Sequence, residues 1–330
     1  MKAWRATELG EPERVLTLVD TAEPAPGPGQ LVVRTRAAAA NFPDVLLCRG
    51  EYQIRPELPF TPGVELCGEV VAVGARVTAF AIGDRVVGTA VLPWGGCAEL
   101  AVMNVDETFP APEALDDAEA AILTIGYQTG WFGLHRRAGL RPGETLLVHA
   151  AAGGVGSAAV QLGKAAGARV IGVVGSPAKA EVARALGADL VIDRSTVDFV
   201  ETVRAFTDGR GADVIYDPVG GDVYERSTKC VAFEGRILVV GFAGGRIQTA
   251  ALNHALVKNY SILGLHWGLY RERDADAVWD CHTELTRLAD SGRVRPLIGE
   301  RLSLDEVPLG LQRLADGKTV GRVVFTGNRA

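Results

Sequence analysis

The stretch Leu146 to Gly163, L-L-V-H-A-A-A-G-G-V-G-S-A-A-V-Q-L-G, decides the fold. Three apolar residues (Leu146, Leu147, Val148) run into a cluster of very small ones. A helix with a small apolar face (Val155, Ala158, Ala159, Val160, Leu162) then begins. This strand, turn, helix order sets unpaired backbone N–H groups and the positive end of a helix dipole where a pyrophosphate can bind. Ala151, Gly153 and Gly156 fill the three places of a G-x-G-x-x-G dinucleotide fingerprint, with alanine in the first. Gly153 allows backbone to approach the phosphates and Gly156 allows the helix to pack hard on the strand; Gly154 and Val155 complete the candidate set. Runs of Gly and Ala also serve ordinary helix packing. The dinucleotide reading gains from Ala168 to Val174 (A-R-V-I-G-V-V), a second buried-strand pattern at the spacing of a βαβ unit.

The residues after that second strand bear on which dinucleotide binds. An NAD site wants a carboxylate about twenty residues past the glycines, on the ribose 2′-hydroxyl. Here Gly175 and Ser176 stand there, Lys179 follows, and no acid lies between Gly156 and Glu181. A small hydroxyl and a cation suit a 2′-phosphate, and Arg194, after a third strand, adds a second cation able to bind in two-pronged fashion. Most Lys and Arg are solvated surface charges, and Lys179 and Arg194 can be read that way too. The absent acid and the present bases together favour NADPH as the cofactor.

Bulk properties bound the remaining choices. The chain has 330 residues, 48% of them hydrophobic, and 40 glycines. That is enough for two domains with real cores in a globular α/β protein. A net charge of -6 argues against nucleic acid or an anionic membrane as the main partner. The five cysteines are scattered, with no C-x-x-C pair, which suggests free thiols in a reducing compartment. The N-terminal M-K-A-W-R-A-T-E-L-G has no apolar signal-peptide segment, and the charge-free stretches Ala120 to Leu134 and Val148 to Gly163 are too short or too Gly-rich to span a bilayer. The expectation is a cytoplasmic, soluble protein.

Residues 1 to about 120 read as short strands between Pro/Gly turns, among them Leu31 to Arg36, Glu69 to Ala75 and Asp84 to Ala90. A helix is expected over Pro112 to Leu123. An alternation of helix and strand then runs to about residue 265, with strands at Thr145 to His149, Arg169 to Val174, Leu190 to Asp193, Asp213 to Asp217, Arg236 to Val240 and Ser261 to Leu265. Six such strands make a complete doubly wound sheet of expected order 3-2-1-4-5-6. Beyond residue 266 the pattern turns mixed, with one good helix (Ala275 to Ala289) and a final strand (Gly321 to Thr326). The doubly wound unit is thus inserted between two pieces of a β-rich domain, with the active site expected in the cleft.

Several motifs in one order carry a wider resemblance. They are A-N-F-P-D-V-L-L-C-R-G-E-Y (Ala40 to Tyr52), P-G-V-E-L-C-G-E-V (Pro62 to Val70), H-A-A-A-G-G-V-G (His149 to Gly156), Y-D-P-V-G-G (Tyr216 to Gly221), V-V-G-F-A (Val239 to Ala243) and L-H-W-G (Leu265 to Gly268). In these the chain resembles the medium-chain dehydrogenase/reductase superfamily, in its zinc-free NADPH:quinone oxidoreductase (zeta-crystallin-like) branch, over essentially its whole length. The resemblance implies a Rossmann doubly wound parallel sheet inserted in a GroES-like catalytic domain. The first part of that domain would span 1–122, the NADPH-binding Rossmann domain 123–265, and the second catalytic part 266–330.

The same resemblance frames the metal question. Zinc enzymes of the superfamily need Cys or His ligands. The places corresponding to their catalytic ligands hold Asn41, Val64 and Ile125, and the four-cysteine structural loop is missing. His135, His149, His254, His266 and His282 lie without ligand spacing and read as structural histidines. No metal is expected. Without a Lewis acid, alcohol oxidation gives way to hydride delivery from NADPH to an acceptor already polarised by conjugation, a quinone or an enone.

By resemblance, Asn41 sits beside the nicotinamide ribose or the acceptor oxygen, and Thr129 lies near the nicotinamide. Gly241, Phe242, His266, Trp267 and Gly268 correspond to segments lining the far end of the cofactor; for Trp267, core packing is the plainer alternative. Tyr52 could hydrogen-bond the acceptor oxygen or donate a proton, or equally form a pocket wall with a structural hydrogen bond. Asp44, Arg49 and Glu65 read as structural. Three classes stay open: a quinone reductase, an enone or enoyl-thioester reductase with Arg136, Arg137, Arg271 and Arg273 as candidate carrier-phosphate cations, and a non-catalytic nucleotide-binding protein. Relatives of this kind often form homodimers along the edge of the cofactor sheet, here Arg236 to Ile247.

Overall fold

The computed structural model describes residues 1–327. Its strands are, in chain order, β1 (Lys2–Ala6), β2 (Leu16–Asp20), β3 (Gln30–Ala39), β4 (Glu65–Val73), β5 (Arg85–Ala90), β6 (Leu100–Pro110), β7 (Thr145–His149), β8 (Arg169–Val174), β9 (Leu190–Asp193), β10 (Ala212–Asp217), β11 (Val231–Val239), β12 (Ser261–Gly264), β13 (Ile298–Ser303) and β14 (Arg322–Thr326). The chain divides into two compact units, one of Met1–Ile125 with Arg295–Ala330, the other of Gly126–Val294.

The first unit is built on a six-stranded sheet of order β13-β14-β3-β4-β5-β6, in which β6 also pairs with β3. That extra pairing closes β3 to β6 into a small barrel. Alternating apolar residues fill it, as period-two side-chain alternation requires: Leu31 and Val33 from β3, Leu66 and Val70 from β4, Val86 from β5, Ala101 and Met103 from β6. A second cluster (Phe60, Leu47, Cys97, Leu311, Phe325) packs the helices Phe42–Arg49 and Val307–Ala315 in the same unit. The helix expected over Pro112 to Leu123 is a single turn, Asp117–Ala120. The reason is a contact from a distant strand together with a late cap. The carbonyls of Pro112 and Leu115 accept from the Arg85 guanidinium at 3.0 and 2.8 Å, and a capping box of Asp116 and Glu119 starts the turn late.

The second unit holds a six-stranded sheet of order β12-β11-β10-β7-β8-β9, every pairing parallel. Numbered within the sheet, this is the expected 3-2-1-4-5-6. Its three central strands β7, β8 and β10 are buried along their length without alternation, β7 and β10 entirely so, as strands covered on both faces must be. The strand expected at Arg236 begins five residues earlier, at Val231, because a bulge opposite Ala212 and Val214 lets a kinked segment join the ladder. Residues 266–294, read from sequence with the C-terminal piece, pack with this sheet unit. Their long helix, Ala275–Asp290, buries Val278, Cys281, Leu285 and Leu288 there. The break in the chain falls after Val294, not at 265, and the first falls after Ile125, not at 122.

Candidate active site

In the sheet unit, β7 ends at His149 and the chain turns at Ala150, a non-glycine residue at φ 50°. The Ala151 N–H donates to Val173 O at 3.0 Å and Gly153 N–H to Ala150 O at 2.8 Å, which fixes the turn against β8. The helix Gly154–Ala165 starts at once, with Gly153 as its N-cap and no side chain capping it. The first-turn amides of Gly154, Val155 and Gly156 are therefore left for a ligand. A Cβ on Gly156 would run into the Ala150 carbonyl, so only glycine lets this helix sit so close to the turn. The alanine in the first fingerprint place is matched across the sheet: a Cβ on Gly172 of β8 would come 3.0 Å from Ala151 Cβ.

Beyond β8, Gly175 is exposed and Ser176 caps the helix Pro177–Ala185, its Oγ accepting from Lys179 N–H at 3.4 Å. The Arg194 guanidinium flanks the same corner, its Nε 3.6 Å from where a Gly175 Cβ would stand. Asp193, the nearest acid in sequence, is engaged by the N–H and hydroxyl of Ser195. The structure thus brings Gly175, Ser176, Lys179 and Arg194 together at the carboxyl end of β8. Beneath the turn His149 is fully buried, which, with the charges of Arg194 and Arg226, drives its pKa down to about 3. Its Nε2 lies 2.8 Å from Ser227 Oγ, whose own proton goes to Val223 O. The ring is a neutral donor and a structural residue.

Residues Val240 to Gly244 run alongside Asp217 to Val219. Ala243 N–H donates to Pro218 O and Gly244 N–H to Val219 O. Phe242, 40% exposed, leans on Gly220. Asp217, within the Y-D-P-V-G-G motif, has a role that its place in that motif does not announce. Its Oδ1 accepts from Val219 N and Gly220 N, both at 2.9 Å, and holds the Y-D-P-V-G-G turn at the end of β10. The Asp-x-x-Gly spacing of an Asx turn was the available signal. Gln128, next to the buried Thr129, was also missed. Its Oε1 accepts from the Trp267 indole at 3.0 Å, tying the helix Thr124–Trp131 to the L-H-W-G segment. His266 lies 3.3 Å from the Cβ position of Gly268, and the Arg271 guanidinium covers the Trp267 ring. Arg136 pairs with Asp274 at 2.7 Å and Arg137 donates to Gly264 O, so with Arg271 on Trp267 three of the four arginines read as carrier-phosphate candidates are engaged internally.

In the barrel unit, Asn41 precedes the helix Phe42–Arg49 and is buried. Its Nδ2 donates to Glu65 Oε2 and Ala39 O, at 3.0 and 3.2 Å, and its Oδ1 accepts from Arg322 at 2.7 Å. The carboxamide can accept one more hydrogen bond and donate none. Glu65 also accepts from Ile125 N–H at 2.6 Å. Asp44 receives the N–H groups of Asn41, Gly63 and Val64; burial pushes its pKa up to about 6 against those three donors. Tyr52 is half-buried and packs against the cluster of Phe60 and Leu47. At Asn41, Val64 and Ile125, the places that the resemblance sets against zinc ligands, this chain presents an amide, a valine and an isoleucine. Among the described residues no group of three His, Cys, Asp or Glu is placed to hold a metal ion, and all five cysteines are buried and free.

Two family models match the chain: the alcohol dehydrogenase GroES-like domain over residues 27–113 and the zinc-binding dehydrogenase over residues 154–283. A quinone oxidoreductase-like protein 2 homolog of Nematostella vectensis is 39% identical over 98% of this chain and 89% of its own length. A quinone oxidoreductase of Pseudomonas syringae pv. Tomato is 35% identical with a TM-score of 0.90, covering 98% of this chain and 99% of that one. A mycobacterial protein solved in complex with NADPH is 32% identical with a TM-score of 0.91, over 99% of this chain and 100% of that one. On this likeness, which runs through both units, the chain belongs to the quinone oxidoreductase-like family of the medium-chain dehydrogenase/reductase superfamily.

Proposed function

We propose that this chain is a zinc-independent, NADPH-dependent reductase acting on a quinone or a similar conjugated carbonyl. The observation that carries the coenzyme choice is the corner at the end of β8. Gly175 leaves it open, Ser176 offers a hydroxyl, and Lys179 and Arg194 supply positive charge where a carboxylate would select NADH. The uncapped first turn at Gly153 to Gly156 suits the diphosphate of the same molecule. The mycobacterial relative solved with NADPH supports this reading.

When bound, the dinucleotide supplies the hydride. The chain's own residues bind and orient. Thr129, Gly241, Phe242, His266, Trp267 and Gly268 hold the far end of the coenzyme, with Gln128 bracing Trp267. Asn41, with a single acceptor site left, receives a ribose hydroxyl; its donors are spent, so it does not polarise the acceptor oxygen. Tyr52 remains the residue able to give that oxygen a hydrogen bond or a proton. Zinc independence is supported by the donor set itself, since Asn41 is locked to Glu65 and Arg322 while Val64 and Ile125 have no ligating side chain.

Helix Leu252–Lys258 presents Leu252, Leu256 and Val257, each more than 70% exposed, next to the edge strand β12. An apolar helix face beside an unpaired strand edge supports a homodimer. Free buried thiols fit a reducing, cytoplasmic setting, and no described helix is long and apolar enough to cross a membrane.

Coenzyme titration by fluorescence tests the reading. NADPH should bind about tenfold or more tightly than NADH, and Lys179→Ala and Arg194→Ala should each narrow the ratio. Equal affinities in the unaltered protein would sink it. With NADPH, turnover of a simple quinone but not of crotonyl-coenzyme A assigns the quinone class, and the reverse assigns the enoyl thioester. Turnover of neither leaves a nucleotide-binding protein. Unchanged kcat in Tyr52→Phe with both acceptor types would remove Tyr52 from the chemistry.

A further inference from the structure

A parallel sheet binds its ligands at the carboxyl ends of its strands. At the opposite end, where β10 and β11 begin, this chain has built a second concavity. Arg204, Arg210, Lys229 and Lys258 surround a hollow of about 180 Å³, with the Gly209–Gly211 turn and Phe233 completing its walls. No Asp or Glu lines it, although the chain as a whole carries a net charge of -6.

The partners of these cations decide what the hollow can do. Arg210 is paired with Asp213. Lys258 donates only to a neutral carbonyl, that of Thr228, at 3.2 Å. Arg204 and Lys229 make no ion pair or side-chain hydrogen bond among the described residues. Helix C-termini attract cations, and Arg204 and Lys258 do stand in last turns. Each helix end, however, carries only about half a negative charge. The helix Asp222–Ser227 ends here as well, its C-cap carbonyl Thr228 O taking Lys258, and three such ends still leave the three cations in surplus by about 1.5 charges. The thiol of Cys230 in the wall is kept protonated by burial and adds no negative charge.

The geometry points to a binding site for a small phosphate-type dianion at the amino end of the sheet, held by Arg204, Lys229 and Lys258. The hollow is smaller than the roughly 300 Å³ at which ordinary ligand pockets begin. Its occupant is therefore a phosphate group with few further atoms. Phe233, 69% exposed and fixed by the Glu234 N–H bond to Asn259 O, walls one side.

Inorganic pyrophosphate is the probe. Phe233→Trp places an indole at the rim, and its emission, less the wild-type signal, should change saturably with pyrophosphate at low ionic strength. Adding Arg204→Ala and Lys229→Ala to that protein should weaken binding about tenfold or more. Adding Arg184→Ala and Arg287→Ala, which change the net charge equally at two exposed sites elsewhere, should leave it unchanged. Calorimetric titration of the wild type against R204A/K229A should show the same loss and serves if the indole variant does not fold. No saturable response in either measurement, or equal losses in the two paired variants, would mean an adventitious ion only and overturn the site.

Discussion

Arg322 and Glu65, 257 positions apart in the chain, meet at 2.8 Å with the carboxylate fully buried. The pair links β14 to the start of β4 and is completed by Asn41 and the Ile125 N–H. Each ion loses its water, and only the other, with these neutral donors and acceptors, makes up for it. Removing one partner leaves the other charged in the interior. Glu65→Gln or Arg322→Met should each cost about 3–5 kcal/mol. The double variant should cost less than the two together, by at least about 1 kcal/mol. Urea unfolding measures all three, and strict additivity would show that the two ions do not depend on each other.

Asp44 gives the same unit an uncommon response to acid. Its carboxylate is buried, and burial raises its pKa from 3.8 to about 6. The folded state thus holds the proton more tightly than the unfolded chain. The resulting stabilisation is complete below pH 3.8 and disappears as the pH rises through about 6. Asp44→Asn removes this titration. The stability difference between wild type and variant should drift by about 3 kcal/mol across that window and be flat above it. A difference that does not move with pH would mean that the three N–H donors from Asn41, Gly63 and Val64 cancel the effect of burial and leave Asp44 with its unfolded-state pKa.

How much of this was legible in the chain follows the range of the forces involved. The bend at Ala150 to Gly156 is written in adjacent residues, because a strand end, small turn residues and a helix start need only near neighbours. The six parallel strands came out close to their bounds for the same reason, except β11, whose early start depends on a bulge against β10. The Arg322–Glu65–Asn41 cluster could not be read at all. Nothing near Arg322 in sequence marks it as buried, and the decision is made by a strand pairing, Val324 with Ala39, that local pattern does not contain. The missing helix at Pro112 is of the same kind, since a guanidinium from Arg85 takes its carbonyls.

His149 should act in the sense opposite to Asp44, in the other unit. Burial, reinforced by Arg194 and Arg226, lowers its pKa from 6.5 to about 3. The unfolded chain therefore binds the proton more readily. The contribution is complete above pH 6.5 and is lost as the pH falls toward about 3. His149→Gln keeps a donor for Ser227 without the titration. At pH 4 the wild type should have lost about 3 kcal/mol more than this variant, relative to neutral pH. Unfolding curves at pH 7 and pH 4 give the comparison, and parallel losses would place the acid sensitivity elsewhere.

Gly153 and Gly156 sit three residues apart yet should fail differently when changed. At Gly156 an added methyl meets the Ala150 carbonyl, a backbone atom that cannot swing away. The helix Gly154–Ala165 must then lift from β7, and overpacking of this kind costs about 1–3 kcal/mol. At Gly153 the added methyl stands 3.2 Å from the same oxygen, and its φ of -89° suits any residue. Gly153→Ala should therefore fold with a midpoint close to wild type. Its methyl, however, lies at the uncapped end of the helix, where a diphosphate would be held against bare amides. Coenzyme affinity should fall about tenfold or more in Gly153→Ala, well out of proportion to its stability, while Gly156→Ala should lose both. If Gly153→Ala instead binds NADPH as tightly as the wild type, the first turn of this helix is a packing device and the diphosphate is held somewhere else.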